Sequence, residues 1–197
     1  MTHRLAVLIS GTGSNLQAIL DAIDAGELPA RVSLVLSNKA GAAGLARAER
    51  AGVPAQAIDH RGFPDRASFD QAMIERIDAH GADTVVLAGF MRILSPGFVR
   101  HYQGRLINIH PSLLPKYPGL NTHARALEAG DREHGCSLHF VTDELDGGPL
   151  IAQARFPVAA NDTAETLSEK VQAREHRLYP QVCLLYTSDA ADDLLCV

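Results

Sequence analysis

The sequence lacks the features that mark secreted, membrane-spanning or nucleic-acid-binding proteins. Its three cysteines, Cys136, Cys183 and Cys196, are irregularly spaced and match neither a disulfide framework nor a zinc site. No apolar run approaches the ~20 residues that a membrane-spanning helix needs, and the first residues carry no secretory signal pattern. The formal net charge of -5 provides no basic stripe for a nucleic-acid backbone. We therefore expect a cytoplasmic protein with no membrane and no nucleic-acid partner.

Short apolar runs alternate with stretches of helical periodicity through the first two-thirds of the chain. Residues 5–9 (LAVLI) are apolar without alternation, which is typical of a strand buried on both faces. Residues 15–25 then carry apolar side chains three and four positions apart, the spacing of an amphipathic helix. This rhythm predicts an α/β fold with a Rossmann-like, mostly parallel sheet flanked by helices. Further strands are predicted at residues 32–36, 55–58, 84–88 and 105–109, and further helices at residues 40–51 and around residues 69–77.

The pattern changes in the last third of the chain. Residues 136–141 and 150–158 predict an antiparallel strand pair, and residues 164–178 predict a final helix after a polar N-cap region. Residues 1–185 are expected to form one domain. Residues 186–197 continue neither a helix nor a strand pattern, and we interpret them as a non-native or disordered tail.

A glycine-containing turn, residues 10–15 (SGTGSN), separates the first predicted strand from the first predicted helix. Glycine lets the backbone approach an anion, and the free N–H groups at a helix start favour a phosphate. The turn matches the dinucleotide fingerprint only in part, because Leu16 replaces its third glycine and no acidic residue ends the second predicted strand. The residues therefore favour a monophosphate site over a nicotinamide site. The alternative is a tight turn that needs glycine for backbone reasons alone.

The most informative motif is the run of residues 108–115 (NIHPSLLP), which follows an apolar predicted strand. Because side chains two positions apart on a strand point to the same side, we expect Asn108 and His110 to lie side by side. Two prolines then hold the following loop in a non-helical conformation. An amide beside an imidazole can polarise a carbonyl group and move a proton. The motif therefore predicts a catalytic pair.

Two further segments are placed where they would complete this site. Residues 89–95 (GFMRILS) follow the fourth predicted strand, at the end of the sheet where ligand crevices form, although apolar side chains there are more often core. Asp146 precedes the turn residues 147–149 (GGP). A loop aspartate is often only solvated, but a loop folded back toward His110 would supply a carboxylate that favours the protonated imidazole. His139, on an alternating strand, is expected to pack or to form hydrogen bonds.

Taken together, residues 10–15, 89–95, 108–119 and 143–149 resemble the phosphoribosylglycinamide formyltransferase family, within the folate-dependent formyltransferase superfamily. The motifs stand in the family's order, and the resemblance covers residues 4–182. It implies that a formyl group moves from the co-substrate 10-formyltetrahydrofolate to the amine of 5-phosphoribosylglycinamide through a tetrahedral intermediate. This reaction belongs to de novo purine synthesis.

The resemblance also implies roles for individual residues. Asn108 and His110 would stabilise the tetrahedral intermediate, with His110 as the proton donor, and Asp146 would keep His110 charged and organise proton transfer. The Leu114–Pro115 peptide bond would be cis. The other implied contacts are Gly13, Ser14, Asn15, Gln172 and Glu175 with phosphoribosylglycinamide, and Arg66, Met91, Arg92, Ile93, Leu94, Asn108, Thr142, Asp143, Glu144, Leu145 and Asp146 with the folate.

Other functions fit the sequence less well. Methionyl-tRNA formyltransferase shares the residue 108–115 pattern but has a large RNA-binding domain, and formyltetrahydrofolate hydrolase lacks the phosphate turn and adds a regulatory domain. A non-catalytic nucleotide-binding module would need the turn but not the three catalytic residues. His123, His134 and His176 show no ligand spacing, so we predict no metal. The expected partners are two small-molecule substrates, bound by a monomer or weak homodimer.

Overall fold

The computed structural model describes residues 2–187. They form one sheet of seven strands with helices packed on both faces. A short 3₁₀ turn at His60–Gly62 lies between two of the elements. Along the chain the elements are β1 (His3–Ile9), α1 (Ser14–Asp24), β2 (Ala30–Ser37), α2 (Ala43–Arg50), β3 (Ala55–Ala57), α3 (Arg66–Ala79), β4 (Thr84–Leu87), α4 (Pro96–His101), β5 (Leu106–His110), α5 (Thr122–Glu128), β6 (Glu133–Phe140), β7 (Leu150–Pro157) and α6 (Ala164–Leu185).

The strands lie in the order β3-β2-β1-β4-β5-β6-β7. The pairs from β3 to β5 are parallel, whereas β6 runs antiparallel to both β5 and β7. This topology confirms the predicted fold, a mostly parallel sheet with an antiparallel strand pair in the last third of the chain. The strand order reverses between β1 and β4. Loops that leave the carboxyl ends of two such strands diverge, and the crevice between them is the usual ligand site of open α/β sheets.

Strand β1 is buried on both faces, which explains its unbroken apolar run. Leu5, Val7 and Ile9 point into a core that includes residues of α1 and α6, and Ala6 and Leu8 point into a core that includes residues of α3 and α4. All five side chains are 0% exposed. The loop that follows β1 is therefore fixed to a strand that is packed on both sides.

The sequence patterns do not predict the short helices α4 and α5, which have six and seven residues. Elements of this length complete fewer than two turns, so they show too little periodicity to be recognised. Helix α4 is defined instead by its start. Ser95 Oγ accepts the N–H of Phe98 at 3.3 Å, and Pro96 occupies the first turn.

Helix α6 continues to Leu185, well beyond its predicted end, so this predicted boundary is wrong. Pro180 lies inside the helix and lacks the N–H that a helix interior needs, which favours an earlier end. Tertiary packing outweighs this preference. Tyr179 and Val182 are 0% and 1% exposed, and Tyr179 Oη donates to the carbonyl oxygen of Leu87 at 2.8 Å.

The chain beyond α6 begins with a turn at Tyr186 and Thr187. The Tyr186 ring packs edge-on against Phe140, with ring centroids 5.8 Å apart. Residues 188–197 of the predicted tail lie outside the described residues, so the interpretation of that segment stays a prediction. Within residues 2–187, no helix is long and apolar enough to cross a membrane.

Candidate active site

The turn between β1 and α1 leaves backbone donors open at a helix start. Gly13 is the N-cap of α1 with a φ of +71°, and no side chain in the described part of the chain caps this helix. A Cβ on Gly13 would lie 2.6 Å from the Cα of Gly44, so the close approach of α2 requires glycine. Helix α2 also holds the turn through Arg47, whose Nε donates to the Thr12 carbonyl oxygen at 2.8 Å. Free N–H groups at such a start suit a phosphate.

Helix α6 brings two predicted substrate-binding residues to this turn. Gln172 Nε2 donates to Ser14 Oγ at 3.1 Å, and Asn15 Nδ2 donates to Glu175 Oε2 at 2.9 Å. Asn15 and Glu175 are 7% and 8% exposed, and burial raises the pKa of the Glu175 carboxyl. Among the described residues, the buried Asn15 Oδ1 has no hydrogen-bond partner. Gln172 and Ser14 are 158 positions apart in the sequence, and Glu175 and Asn15 are 160 positions apart, yet both pairs meet at one side of the turn.

Strand β5 places Asn108 and His110 on one face of the sheet, as the motif predicts, and His110 is only 5% exposed. The loop between β6 and β7 brings Asp146 to the same place. Asp146 Oδ2 lies 3.4 Å from His110 Nδ1, and the two side chains are 9% and 7% exposed. The fold thus assembles an amide, an imidazole and a carboxylate that the sequence places on two separate segments.

Asp146 is held in position by its backbone conformation and by a second loop. Its φ is +52°, a left-handed conformation that aspartate tolerates better than most residues. Its Oδ2 also accepts the N–H of Gly119 at 2.8 Å, while His110 Nε2 lies 2.8 Å from the carbonyl oxygen of Tyr117. Both ring nitrogens of His110 therefore face oxygen atoms. The Leu114–Pro115 bond in the same loop is cis.

The sequence did not indicate that His139 belongs to this site. It lies opposite Asn108 in the pairing of β5 with β6, and Asn108 Nδ2 is 3.2 Å from His139 Nε2. His139 Nδ1 is 2.9 Å from the carbonyl oxygen of Phe140, so the proton resides on Nδ1 and Nε2 accepts from the amide. Burial lowers the pKa of His139, which keeps it neutral. We call Asn108, His110, His139 and Asp146 the β5 cluster.

One of the segments predicted to contact the folate, residues 91–94, adjoins the core that α3 and α4 form. Leu94 is 9% exposed and packs with Leu106 of β5 in that core. Met91 and Ile93 are instead 64% and 62% exposed, and Leu145 in the loop before β7 is 57% exposed. Large exposed apolar side chains near a polar cluster are typical of a ligand-binding surface.

Positive charge accompanies these exposed apolar side chains. The Arg92 guanidinium lies over the Phe69 ring, 5.3 Å from its centroid, and within residues 2–187 its buried Nε has no hydrogen-bond partner. Arg66 begins α3, the helix that also carries Phe69. The predicted loop residues Thr142, Asp143 and Glu144 stand between β6 and Leu145.

Two histidines outside the cluster contact each other. His123 Nδ1 and His134 Nε2 are 2.9 Å apart, and burial lowers the pKa of both imidazoles, to about 4 for His134. Sequence spacing gave no sign of this contact because it joins α5 to β6. In the part of the chain that the structure describes, no group of three or more His, Cys, Asp or Glu residues is placed to hold a metal ion.

Comparison with known proteins agrees with this geometry. The family model described as formyl transferase matches residues 3–183. The phosphoribosylglycinamide formyltransferase of Escherichia coli (strain K12) is 57% identical over 178 residues, which are 90% of this chain and 84% of that protein. Glycinamide ribonucleotide transformylase 1 from Symbiobacterium toebii has a TM-score of 0.92 at 48% identity, over 94% of this chain and 88% of that chain.

A second solved structure gives the same result. The phosphoribosylglycinamide formyltransferase of Coxiella burnetii has a TM-score of 0.91 at 52% identity, over 95% of this chain and 88% of that chain. Similarity in sequence and in fold therefore extends over nearly the whole described chain. On this evidence, the chain belongs to the formyl transferase family.

Proposed function

We propose that this protein transfers the formyl group of 10-formyltetrahydrofolate to the amine of 5-phosphoribosylglycinamide, a step of de novo purine (IMP) biosynthesis. The observation that carries the proposal is the β5 cluster, in which the Asp146 carboxylate lies 3.4 Å from the His110 imidazole on the face that also carries Asn108. The name of the 57% identical Escherichia coli relative supports the choice of both the reaction and the acceptor.

In this proposal the ribonucleotide phosphate binds at the start of α1, where Gly13, Ser14 and Asn15 supply backbone N–H groups. Glu175 and Gln172 bind the sugar and the glycinamide group. Asn15 Oδ1, which has no hydrogen-bond partner within residues 2–187, suits a hydroxyl or N–H donor of the substrate, because a buried acceptor without a partner is costly. The predicted substrate-binding residues therefore combine backbone donors with buried side-chain acceptors.

The formyl donor binds along the loops after β4 and β6. Exposed Met91, Ile93 and Leu145 offer apolar surface to the flat ring system, and the two arginines offer positive charge to the carboxylates of its glutamate tail. Leu94 contributes from the core side. The residues proposed for this surface are Arg66, Met91, Arg92, Ile93, Leu94, Asn108, Thr142, Asp143, Glu144, Leu145 and Asp146.

The chemistry follows from where charge develops. As the neutral amine attacks the formyl carbon, negative charge grows on the formyl oxygen and positive charge on the attacking nitrogen. The Asn108 amide N–H and an N–H of His110 stabilise the oxygen more strongly in this transition state than in the ground state. The intermediate then collapses, the bond to N10 of the folate breaks, and the proton lost by the amine replaces the formyl group on N10. Asp146 orients His110 and organises this proton transfer.

The contacts of His110 add one requirement. Its Nε2 lies 2.8 Å from the Tyr117 carbonyl oxygen, and its Nδ1 faces Asp146. Donation from Nε2 to substrate therefore requires that the substrate replace the Tyr117 contact. The loop at residues 111–121, which carries Tyr117, must then shift when the reaction site fills.

The deciding experiment is an absorbance assay of formyl transfer from 10-formyltetrahydrofolate, with and without phosphoribosylglycinamide. We expect folate turnover only when the ribonucleotide is present. Equal turnover without it would contradict the proposal and indicate a formyltetrahydrofolate hydrolase. A folded protein that converts neither substrate would also contradict it.

A further inference from the structure

The segment between β4 and α4 has no regular structure, yet it carries four of the residues proposed to bind the folate. Residues 91–94 form neither a helix nor a strand, and two of their side chains are more than 60% exposed. Such a segment needs contacts with other elements to keep one conformation. Hydrogen bonds from buried side chains meet it at both ends, at Met91 and at Ser95.

The first of these hydrogen bonds is made by Ser10, at the end of β1. Ser10 is 4% exposed, and its Oγ accepts the N–H of Met91 at 2.8 Å. The same hydroxyl donates to Asn38 Oδ1 at 2.6 Å. Since a hydroxyl has a single proton, this donation to Asn38 orients the Ser10 lone pairs toward Met91.

The second hydrogen bond is made by Asp70, in the first half of α3. Asp70 is 2% exposed, and its Oδ2 accepts the N–H of Ser95 at 2.5 Å. Burial raises the pKa of the Asp70 carboxyl, while the Ser95 hydrogen bond and the charges of Arg66 and Arg92 act in the opposite direction. Asp70 thus lies within electrostatic reach of both arginines that are proposed to meet the folate. The proposed formyl-transfer mechanism gives Asp70 no role.

We propose that Asp70 and Ser10 are positioning residues for the formyl donor, because they fix the segment at residues 91–94 from both ends. Neither side chain need touch the folate. The inference rests on the proposed function, in which this segment forms one wall of the donor site. The inference predicts that loss of either hydrogen bond, to Ser10 or to Asp70, weakens binding of the formyl donor. The chemical step and the ribonucleotide site should remain intact.

The test compares Asp70→Ala, which removes the acceptor of the Ser95 N–H, with a matched control on the same helix. Asp78 also joins α3 to the α4 region, through Tyr102 Oη at 2.9 Å and His101 Nε2 at 2.8 Å, but it does so at the opposite end of α4. We expect Asp70→Ala to raise KM for 10-formyltetrahydrofolate about tenfold, with kcat and KM for the ribonucleotide within about twofold. Asp78→Ala should leave all three constants within about twofold of the wild-type enzyme.

A second readout needs no activity. We expect backbone hydrogen exchange in a peptide spanning residues 91–95 to be about tenfold faster in Asp70→Ala and unchanged in Asp78→Ala. A second pair of variants tests the Ser10 hydrogen bond if Asp70→Ala fails to fold. Ser10→Ala should raise KM for the donor and speed exchange in the same peptide. Its control is Thr84→Val, which removes a buried hydroxyl at the far end of β4, where Thr84 Oγ1 meets His3.

The outcomes separate this inference from the proposed function. Ribonucleotide-independent turnover, or no turnover, by the wild-type protein would overturn the proposed function and this inference with it. Normal wild-type transfer combined with an unchanged donor KM in Asp70→Ala or Ser10→Ala would overturn the inference alone. Parallel changes in kcat and in both KM values would also overturn it, because that pattern indicates a general structural defect.

Discussion

The two ends of the proposed site are built from different kinds of groups. At the phosphate end, the turn at residues 10–15 offers backbone N–H groups, and its strictest requirement is Gly13, where a Cβ would lie 2.6 Å from the Cα of Gly44 in α2. At the β5 cluster, side chains from two strands and one long loop contact one another. A backbone-built site depends on local conformation, whereas a side-chain cluster depends on several long-range contacts at once.

The two ends also differ in their buried titratable groups. Near the phosphate turn, burial raises the pKa of Glu175 and lowers the pKa of His176, the next residue on α6. At the β5 cluster burial lowers the pKa of His139, and beside the cluster it lowers the pKa values of His123 and His134. Burial disfavours the charged form in both places, but a carboxyl and an imidazole respond with opposite signs. Acid therefore opposes folding through the buried imidazoles of both regions, and the Glu175 carboxyl offsets part of this effect near the phosphate turn.

We expect the largest effect on turnover from substitutions in the β5 cluster. Removal of one oxyanion donor typically costs ~10²–10³ in rate, so we expect losses of that size or more for Asn108→Ala, His110→Ala and Asp146→Ala. Steady-state assays measure the rate, and thermal unfolding checks that the fold persists. His80→Ala, at the far end of α3, is the control. Near-wild-type turnover in one of the three variants would remove that residue from the mechanism.

The Gly13→Ala variant tests the phosphate end of the site, which is built from backbone N–H groups. Its Cβ would collide with Gly44, and a left-handed φ costs a non-glycine residue roughly 1–2 kcal/mol. We expect KM for phosphoribosylglycinamide to rise about tenfold or more, with a smaller change for the folate. Gly26→Ala is the matched control at the other end of α1, because its φ is +74° but nothing lies within 4 Å of the added Cβ. Equal KM values in both variants would show that close approach to α2 is unimportant.

The pH dependence of folding stability tests how the buried titratable groups of the two regions act. The pKa of His134 is about 4 in the fold and ordinarily 6.5, so the unfolded chain binds more protons between these values and stability falls as the pH falls through this window. Glu175 acts with the opposite sign, since its raised pKa makes the folded state bind more protons. We expect the histidine effect to dominate, with a loss of about 2 kcal/mol from pH 7 to pH 5.

Urea unfolding at the two pH values measures this loss. His134 is 1% exposed, so a His134→Gln variant removes the titration and keeps a polar partner for His123. The variant should lose less than about half as much stability as the wild-type protein over the same pH range. An identical loss in both proteins would assign the pH dependence to other groups.

The smallest effects are expected at the chain end, outside both regions. Removal of residues 188–197 should leave turnover and Tm unchanged. Removal of Tyr186 and Thr187 as well should cost about 0.5–1.5 kcal/mol, because the Tyr186 ring packs edge-on against Phe140. Thermal unfolding of the two truncated proteins separates these cases. A clear loss in the shorter deletion would contradict the interpretation of those residues as a tail.

The fold was predictable where the pattern repeats over a whole element. Strand β1 follows from its unbroken apolar run, and helices α1 and α3 follow from apolar side chains at helical spacing. Helices α4 and α5 are too short to show such a period. The end of α6 was predicted too early because Pro180 opposes a helix locally, while the burial of Tyr179 and Val182 decides the outcome.

Sequence alone determined that Asn108 and His110 share a face, because the two-residue period of a strand is a local property. It also determined the glycine turn before α1. Only the tertiary structure decided that Asp146 lies beside His110 and that His139 contacts Asn108. It also decided that α6 contacts the turn before α1, from residues 158 and 160 positions later in the chain. These contacts depend on how separate elements pack, and packing joins residues that no local pattern in the chain relates to one another.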